Sequence, residues 1–160
     1  MTPQDAAVKK APRPGAVAIL PRPPFDWRGT GPIDFTRVQT LVIRRSQFVA
    51  APGALCFPGG GIEPGETAAQ AARREFREEV GLDVAVTRLL AENRTPSGAP
   101  LYWFAARALS DDPNPRVTVQ PAEVAEYQWR TLVELLDDPD FLPNNHEIVR
   151  GIVEGRIALR

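Results

Sequence analysis

Three glutamates, Glu75, Glu78 and Glu79, lie close together in the chain, with Arg74 immediately before them. On a helix, at about 100° per residue, their carboxylates fall within an arc of roughly 100°, because residues three and four apart are neighbours. Carboxylates gathered in this way repel one another and raise each other's pKa values. A hard divalent cation removes that penalty, because Mg²⁺ prefers several oxygen ligands. Arg73, Arg74 and Arg77 also offset the charge, and Arg74 is placed to hold one carboxylate by a bidentate contact. The chemistry expected of such a patch is cation binding and, through the cation, work on a charged substrate.

A loop rich in glycine leads into this stretch: Pro58, Gly59, Gly60, Gly61, Pro64 and Gly65. Glycines reach backbone angles that other residues avoid, so the chain at Gly59 and Gly60 can approach phosphate oxygens closely. Glu66, near the expected helix start, suits the positive end of the helix dipole and is within reach of the carboxylate cluster.

The elements that must position these groups can be read on either side. Thr67 and Gln70 have the spacing of a capping box, Ala69, Ala72, Phe76 and Val80 form one narrow apolar face, and Gly81 is placed to end the helix. A helix over 67–80 follows. Val38–Arg44 is rich in β-branched residues and reads as a strand, as do Gly15–Leu20, Ala54–Phe57, Val84–Glu92, Leu101–Leu109, Val117–Gln120 and Val124–Trp129. Thr131 and Glu134 cap a short helix through Leu136, and Ile148, Val149, Ile152 and Val153 mark a last helix over 144–154. Asp111–Pro115 is a turn. Mixed strands and helices imply an α/β sandwich with a mixed β-sheet. Prolines crowd the start, so residues 1–14 read as a flexible tail, residues 21–34 as an irregular loop, and the core as beginning near Phe35. A single domain over 15–160 is expected.

The 160 residues carry a formal net charge of -1, which does not suit a protein that coats nucleic acid. No run is long enough to span a membrane, and the lone Cys56 sits in an apolar run with no partner for a disulfide in the chain, so the expected compartment is the cytoplasm. Cys56 reads as a small buried hydrophobe. Arg44 and Arg45, at a strand end, read equally as groups that approach a substrate phosphate or as solvated surface; Arg44, with Gly59 and Gly60, is the expected substrate contact. His146 reads as exposed or capping. Strand alternation puts Tyr102 and Phe104 on one face and Trp103 on the other, mostly as core, with Trp129 core as well.

The spacing now bears on kinship. Gly60, five residues, Glu66, seven residues, Arg74-Glu75-Phe76, one residue, Glu78-Glu79, one residue, Gly81-Leu82 is similar to the Nudix box at every specified position. Phe57-Pro58-Gly59-Gly60 resembles the usual lead-in, and 123–129 with the Glu134-bearing helix is similar to the late part of many members. The resemblance covers roughly Phe35 to Gly155. It implies a Nudix-like α/β/α sandwich and a hydrolase that uses Mg²⁺ (or Mn²⁺) to cleave a diphosphate linkage in a nucleoside diphosphate derivative: ADP-ribose or a nucleotide sugar, a nucleoside triphosphate, or a dinucleoside polyphosphate. It implies Glu75, Glu78 and Glu79 as metal ligands, Glu66 as a supporting ligand or helix anchor, Gly60 as setting the loop with its carbonyl in the metal shell, and Arg74 as orienting a glutamate. Glu79 is one candidate base, and Glu123 or Glu126 on a later loop is a rival. The implied partner is a small nucleotide, with a homodimer common among relatives. Signatures of the NADH-cleaving and coenzyme A subclasses are absent, and Pro96 does not match the position typical of ADP-ribose cleavage. The alternative is a non-catalytic nucleotide sensor or scaffold on the same fold.

Overall fold

The computed structural model describes residues 11–22, 32 and 34–159. Its strands form two four-stranded sheets. In the first, β1 (Gly15–Ile19) lies between β5 (Gly59–Gly61) and β7 (Pro100–Ala108), with β6 (Val84–Arg94) at the edge. β1 runs parallel to β7 and antiparallel to β5, so the sheet is mixed. In the second, β3 (Gln39–Arg45) pairs antiparallel with β2 (Pro21–Arg22), β4 (Leu55–Cys56) and β8 (Val124–Thr131).

Alternation along these strands sends side chains to two cores. Ala16, Ala18, Leu41, Ile43 and Phe104 pack with Ala72, Phe76 and Val80 of α1 (Ala68–Val80). Val17, Ile19, Val42, Phe57 and Trp103 pack on the opposite side with α2 (Leu132–Leu136) and α3 (Pro143–Val153). Helices thus cover both faces of the strand layer, and the fold is an α/β/α sandwich. Tyr102 and Phe104 face α1 while Trp103 faces α3, as alternation requires.

Local chemistry sets the helix that carries the glutamates. Thr67 accepts from Gln70 N at 3.1 Å and the Gln70 side chain accepts from Thr67 N at 2.9 Å, a reciprocal capping box. Gly81 ends the helix with φ 70°, a left-handed conformation favouring glycine, and its N–H donates to Arg77 O. Thr131 and Glu134 form a second capping box before α2.

The core does not begin near Phe35: the run Ala16–Leu20 is buried, because β1 is an interior strand covered on both faces. Pro21 and Arg22 are not loop but pair with Thr40 and Gln39; of the expected loop, residues 23–31 and 33 lie outside the described residues. Residues 117–120 form no strand. Thr118 N and Gln120 N instead donate to Val80 O and Glu79 O at 3.0 and 2.9 Å, satisfying carbonyls that the end of α1 leaves without helical partners. Of the expected tail, residues 1–10 lie outside the described residues, while Arg13 Nε donates to Ile62 O at 2.9 Å and Ile62 N to Pro14 O at 2.9 Å.

Candidate active site

Glu75 and Glu79 stand one turn apart on α1, on the side facing the glycine loop and the second sheet. The backbone brings a third carboxylate to them. Because residues 117–120 cap α1, the following turn delivers Glu123, whose carbonyl accepts from Ser46 N at 2.9 Å. Ligand oxygens of Glu75, Glu79 and Glu123 all lie within 4.8 Å of one another.

The electrostatics of this group are unfavourable without a counter-charge. Glu79 is only 5% exposed, and its Oε2 is buried with no hydrogen-bond partner. Burial, then the neighbouring Glu75 and Glu123 carboxylates, push the Glu79 pKa well above the ordinary carboxylate range; a backbone hydrogen bond from Gly59 works the other way. Burial also raises Glu75, against the pull of Arg74. A buried carboxylate oxygen with no donor is costly. An all-oxygen set containing such an orphaned atom fits a hard divalent cation.

Gly60 supplies the room. A Cβ there would lie 2.5 Å from the Glu75 carboxyl carbon, and one at Gly59 would lie 2.5 Å from Ala16 O. The glycines of β5 therefore let the strand pass against both β1 and the carboxylates.

Arg74 organises the outer side of the patch. Its Nε and Nη2 hold the two Glu66 oxygens at 2.8 and 2.9 Å, and Nη1 reaches Glu75 at 2.9 Å and Glu78 at 3.2 Å. Nη2 also donates to Gly61 O at 2.9 Å, tying the loop to the helix. The paired guanidinium holds the Glu66 carboxyl down at about 2. Glu66 is thus engaged as the anchor of Arg74 rather than gathered with the three carboxylates, and Glu78 is an exposed member of the Arg74 network.

Of Arg44 and Arg45, only Arg45 lies toward the cluster. Arg44 points to the α3 side of β3, where it pairs with Glu126 at 2.9 Å and Asp140 at 3.2 Å and donates to Gly53 O. Glu126 sits opposite Arg44 in the β3–β8 ladder, outside the cluster, and the ion pair lowers its pKa. Arg45 is on the α1 side: it contacts Cys56 Sγ, and its charge favours ionised Glu79. The alternation of Leu41, Ile43 and Arg45 carries this information; which face is the helix side does not show in the chain.

Other residues are structural. Burial pushes the Cys56 thiol up to about 11, so it is not an activated nucleophile. His146 Nε2 lies 2.9 Å from Leu136 O and joins α3 to α2. Trp129 is half-buried, with the Arg22 guanidinium 4.2 Å above its ring. A cavity of about 510 Å³ beside it is lined by Leu20, Val38, Ala106 and Pro113 but by none of the clustered glutamates.

Fold and site together define an α/β/α sandwich presenting a carboxylate cluster suited to a divalent cation. Comparison with known proteins agrees. The NUDIX domain model matches residues 30–151, and the chain belongs to the Nudix family. It is 32% identical over 126 residues to the NAD-capped RNA hydrolase NudC of Stutzerimonas stutzeri (strain A1501), across 78% of this chain but 42% of that protein, so it spans less than half of that relative. It is 29% identical over 126 residues to the RNA pyrophosphohydrolase of Erythrobacter litoralis (strain HTCC2594), across 64% of this chain and 73% of that protein. Among solved structures, the MutT protein from Methanosarcina mazei Go1 shares the fold with a TM-score of 0.68 at 18% identity, covering 90% of this chain and 94% of that one. A C. elegans Ap4A hydrolase binary complex has a TM-score of 0.65 at 18% identity, covering 89% and 97%.

Proposed function

We propose that the chain is a divalent-metal-dependent hydrolase that cleaves a diphosphate linkage in a nucleoside diphosphate derivative. The observation that carries this reading is the buried Glu79, whose Oε2 has no partner, clustered with Glu75 and Glu123. Glu75, Glu79 and Glu123 would hold Mg²⁺ or Mn²⁺, with Glu78 and the Gly60 carbonyl as additional ligands beside them. When bound, the cation supplies positive charge against the diphosphate and acidifies a water molecule. Arg74 orients Glu75, and Arg45 adds positive charge on the Glu79 side. Glu123 is the proton acceptor this reading favours: it is exposed, it sits in the cluster, and its rival Glu126 is occupied by Arg44.

The substrate is proposed as a small nucleotide or a nucleotide at an RNA 5′ end, since relatives are named for NAD-capped RNA and RNA pyrophosphate hydrolysis. A net charge of -1 favours recognition of such an end over contact with a long nucleic acid. The lone buried cysteine supports work in the cytoplasm. Among the described residues no helix is long and apolar enough to cross a membrane.

The test is turnover of ADP-ribose, nucleotide sugars, nucleoside triphosphates, dinucleoside polyphosphates and 5′-capped RNA, with Mg²⁺, by the wild type, Glu79→Gln and Glu123→Gln. Turnover on one group should fall at least about 100-fold in each variant, the usual scale for loss of an acid–base group, and should vanish with chelator. A folded wild type that turns over no member but binds nucleotide would replace this reading with that of a sensor.

A further inference from the structure

The loop between β3 and β4, residues 46–54, collects features that the carboxylate site does not explain. Phe48 is 74% exposed, the most exposed large apolar side chain among the described residues. Its apolar loop neighbours are the half-buried Val49 and the small Ala50 and Ala51. Ala51 has φ 50°, and it is the one non-glycine residue with positive φ among the described residues. Such backbone persists only where its surroundings over-determine it, and it clusters at ligand clamps.

The loop is tied to the turn that carries Glu123 and to Arg45. Ser46 N donates to Glu123 O at 2.9 Å, and Ser46 Oγ donates to Ala122 O at 2.7 Å. Phe48 N donates to Ser46 Oγ at 3.2 Å. Arg45 Nε braces the loop through Ala50 O, and Gly53 N closes it onto Arg45 O at 3.0 Å. Two residues of chain span at most about 7 Å, so Phe48 stands at the rim beside the turn that carries Glu123.

We propose that Phe48 is a specificity-determining residue that stacks on the nucleobase of the substrate whose diphosphate is held at Glu75, Glu79 and Glu123; this rests on the hydrolase reading above. A nucleobase lies one sugar away from its phosphates and offers a flat π-face. A ring held out in water by a pinned loop meets that face with little ordering cost. Stacking tolerates any base, because every base has such a face. The site therefore selects for the presence of a base more than for its identity.

The experiment is equilibrium binding, with Mg²⁺, of α,β-methylene-ADP and of the base-free methylenediphosphonate to wild type, Phe48→Ala and Phe48→Trp. Phe48→Ala should weaken the nucleotide roughly tenfold, as loss of one stacked base does. Phe48→Trp should keep it, and methylenediphosphonate should bind all three proteins equally. Equal nucleotide affinity in wild type and Phe48→Ala overturns the proposal, and so does equal weakening of both ligands. A wild type that binds the nucleotide no better than methylenediphosphonate overturns it as well. A changed oligomeric state in Phe48→Ala with unchanged nucleotide affinity would give Phe48 to a protein contact instead. Nucleotide binding with the predicted Phe48 dependence, but without turnover, would sink the hydrolase reading and leave the stacking role standing.

Discussion

At the scale of single residues, the site divides its charges into two sets. Glu75, Glu79 and Glu123 are gathered where burial and mutual repulsion raise the pKa values of the two helix members. Glu66 is treated in the opposite way, clasped by Arg74 through both oxygens. Its carboxyl is lowered from 4.5 to about 2, so the folded state releases this proton more readily than the unfolded chain. The stability it contributes is therefore complete above the ordinary carboxylate value and disappears as pH falls from 4.5 toward about 2. Glu66→Gln should lower the melting temperature at pH 7, and the gap to wild type should close across that window. A gap of the same size at pH 7 and pH 2 would show that Glu66 contributes through packing rather than charge.

At the scale of elements, α1 works because both of its ends are specified. The Thr67–Gln70 capping box starts it, and Gly81 with the backbone of Thr118 and Gln120 finishes it. Glu79 sits in the last turn, so the segment that satisfies the helix end also sets the distance between Glu79 and Glu123. Thr67→Ala removes the N-cap oxygen and should cost about 1 kcal/mol. For a domain of this size that is a fall of roughly 2–4 °C in melting temperature. The change is remote from the cluster's end of the helix, so turnover per folded molecule should be retained. A large loss of turnover at unchanged stability would mean that the cap tunes the site.

At the scale of the whole molecule, the strand layer separates two cores, and the large aromatic residues differ in weight. Trp103 is fully buried, stands edge-on to Phe57 with ring centroids 6.3 Å apart, and donates to Asn93 Oδ1 at 2.6 Å. Trp129 is only half-buried at the edge of the other core. Trp103→Ala leaves a cavity and an Asn93 Oδ1 without its donor, and should cost about 3–5 kcal/mol, on the order of 10 °C in melting temperature. Trp129→Ala should cost clearly less. Calorimetric unfolding of the two variants compares them directly, and equal losses would contradict the division of the cores described here.

The sequence by itself determined what depends on near neighbours in the chain. A capping box is a matter of three residues, and the period of α1 puts Glu75, Glu78 and Glu79 on one patch whatever surrounds the helix. Glycine at 60 and the full box spacing carry the family resemblance in the chain alone. Tertiary structure decided which long-range partners meet. That Glu123 joins Glu75 and Glu79 while Glu126 does not, and that Arg45 rather than Arg44 faces them, depends on strand pairing and on a bulge between Arg44 and Arg45 in the β3–β8 ladder. Alternation fixes that neighbours point to opposite faces, but only packing of α1 on one face tells which residue of each pair looks at the site. The apolar run at 15–20 was legible as a strand, yet its place inside the sheet follows from hydrogen bonds to residues more than forty positions away.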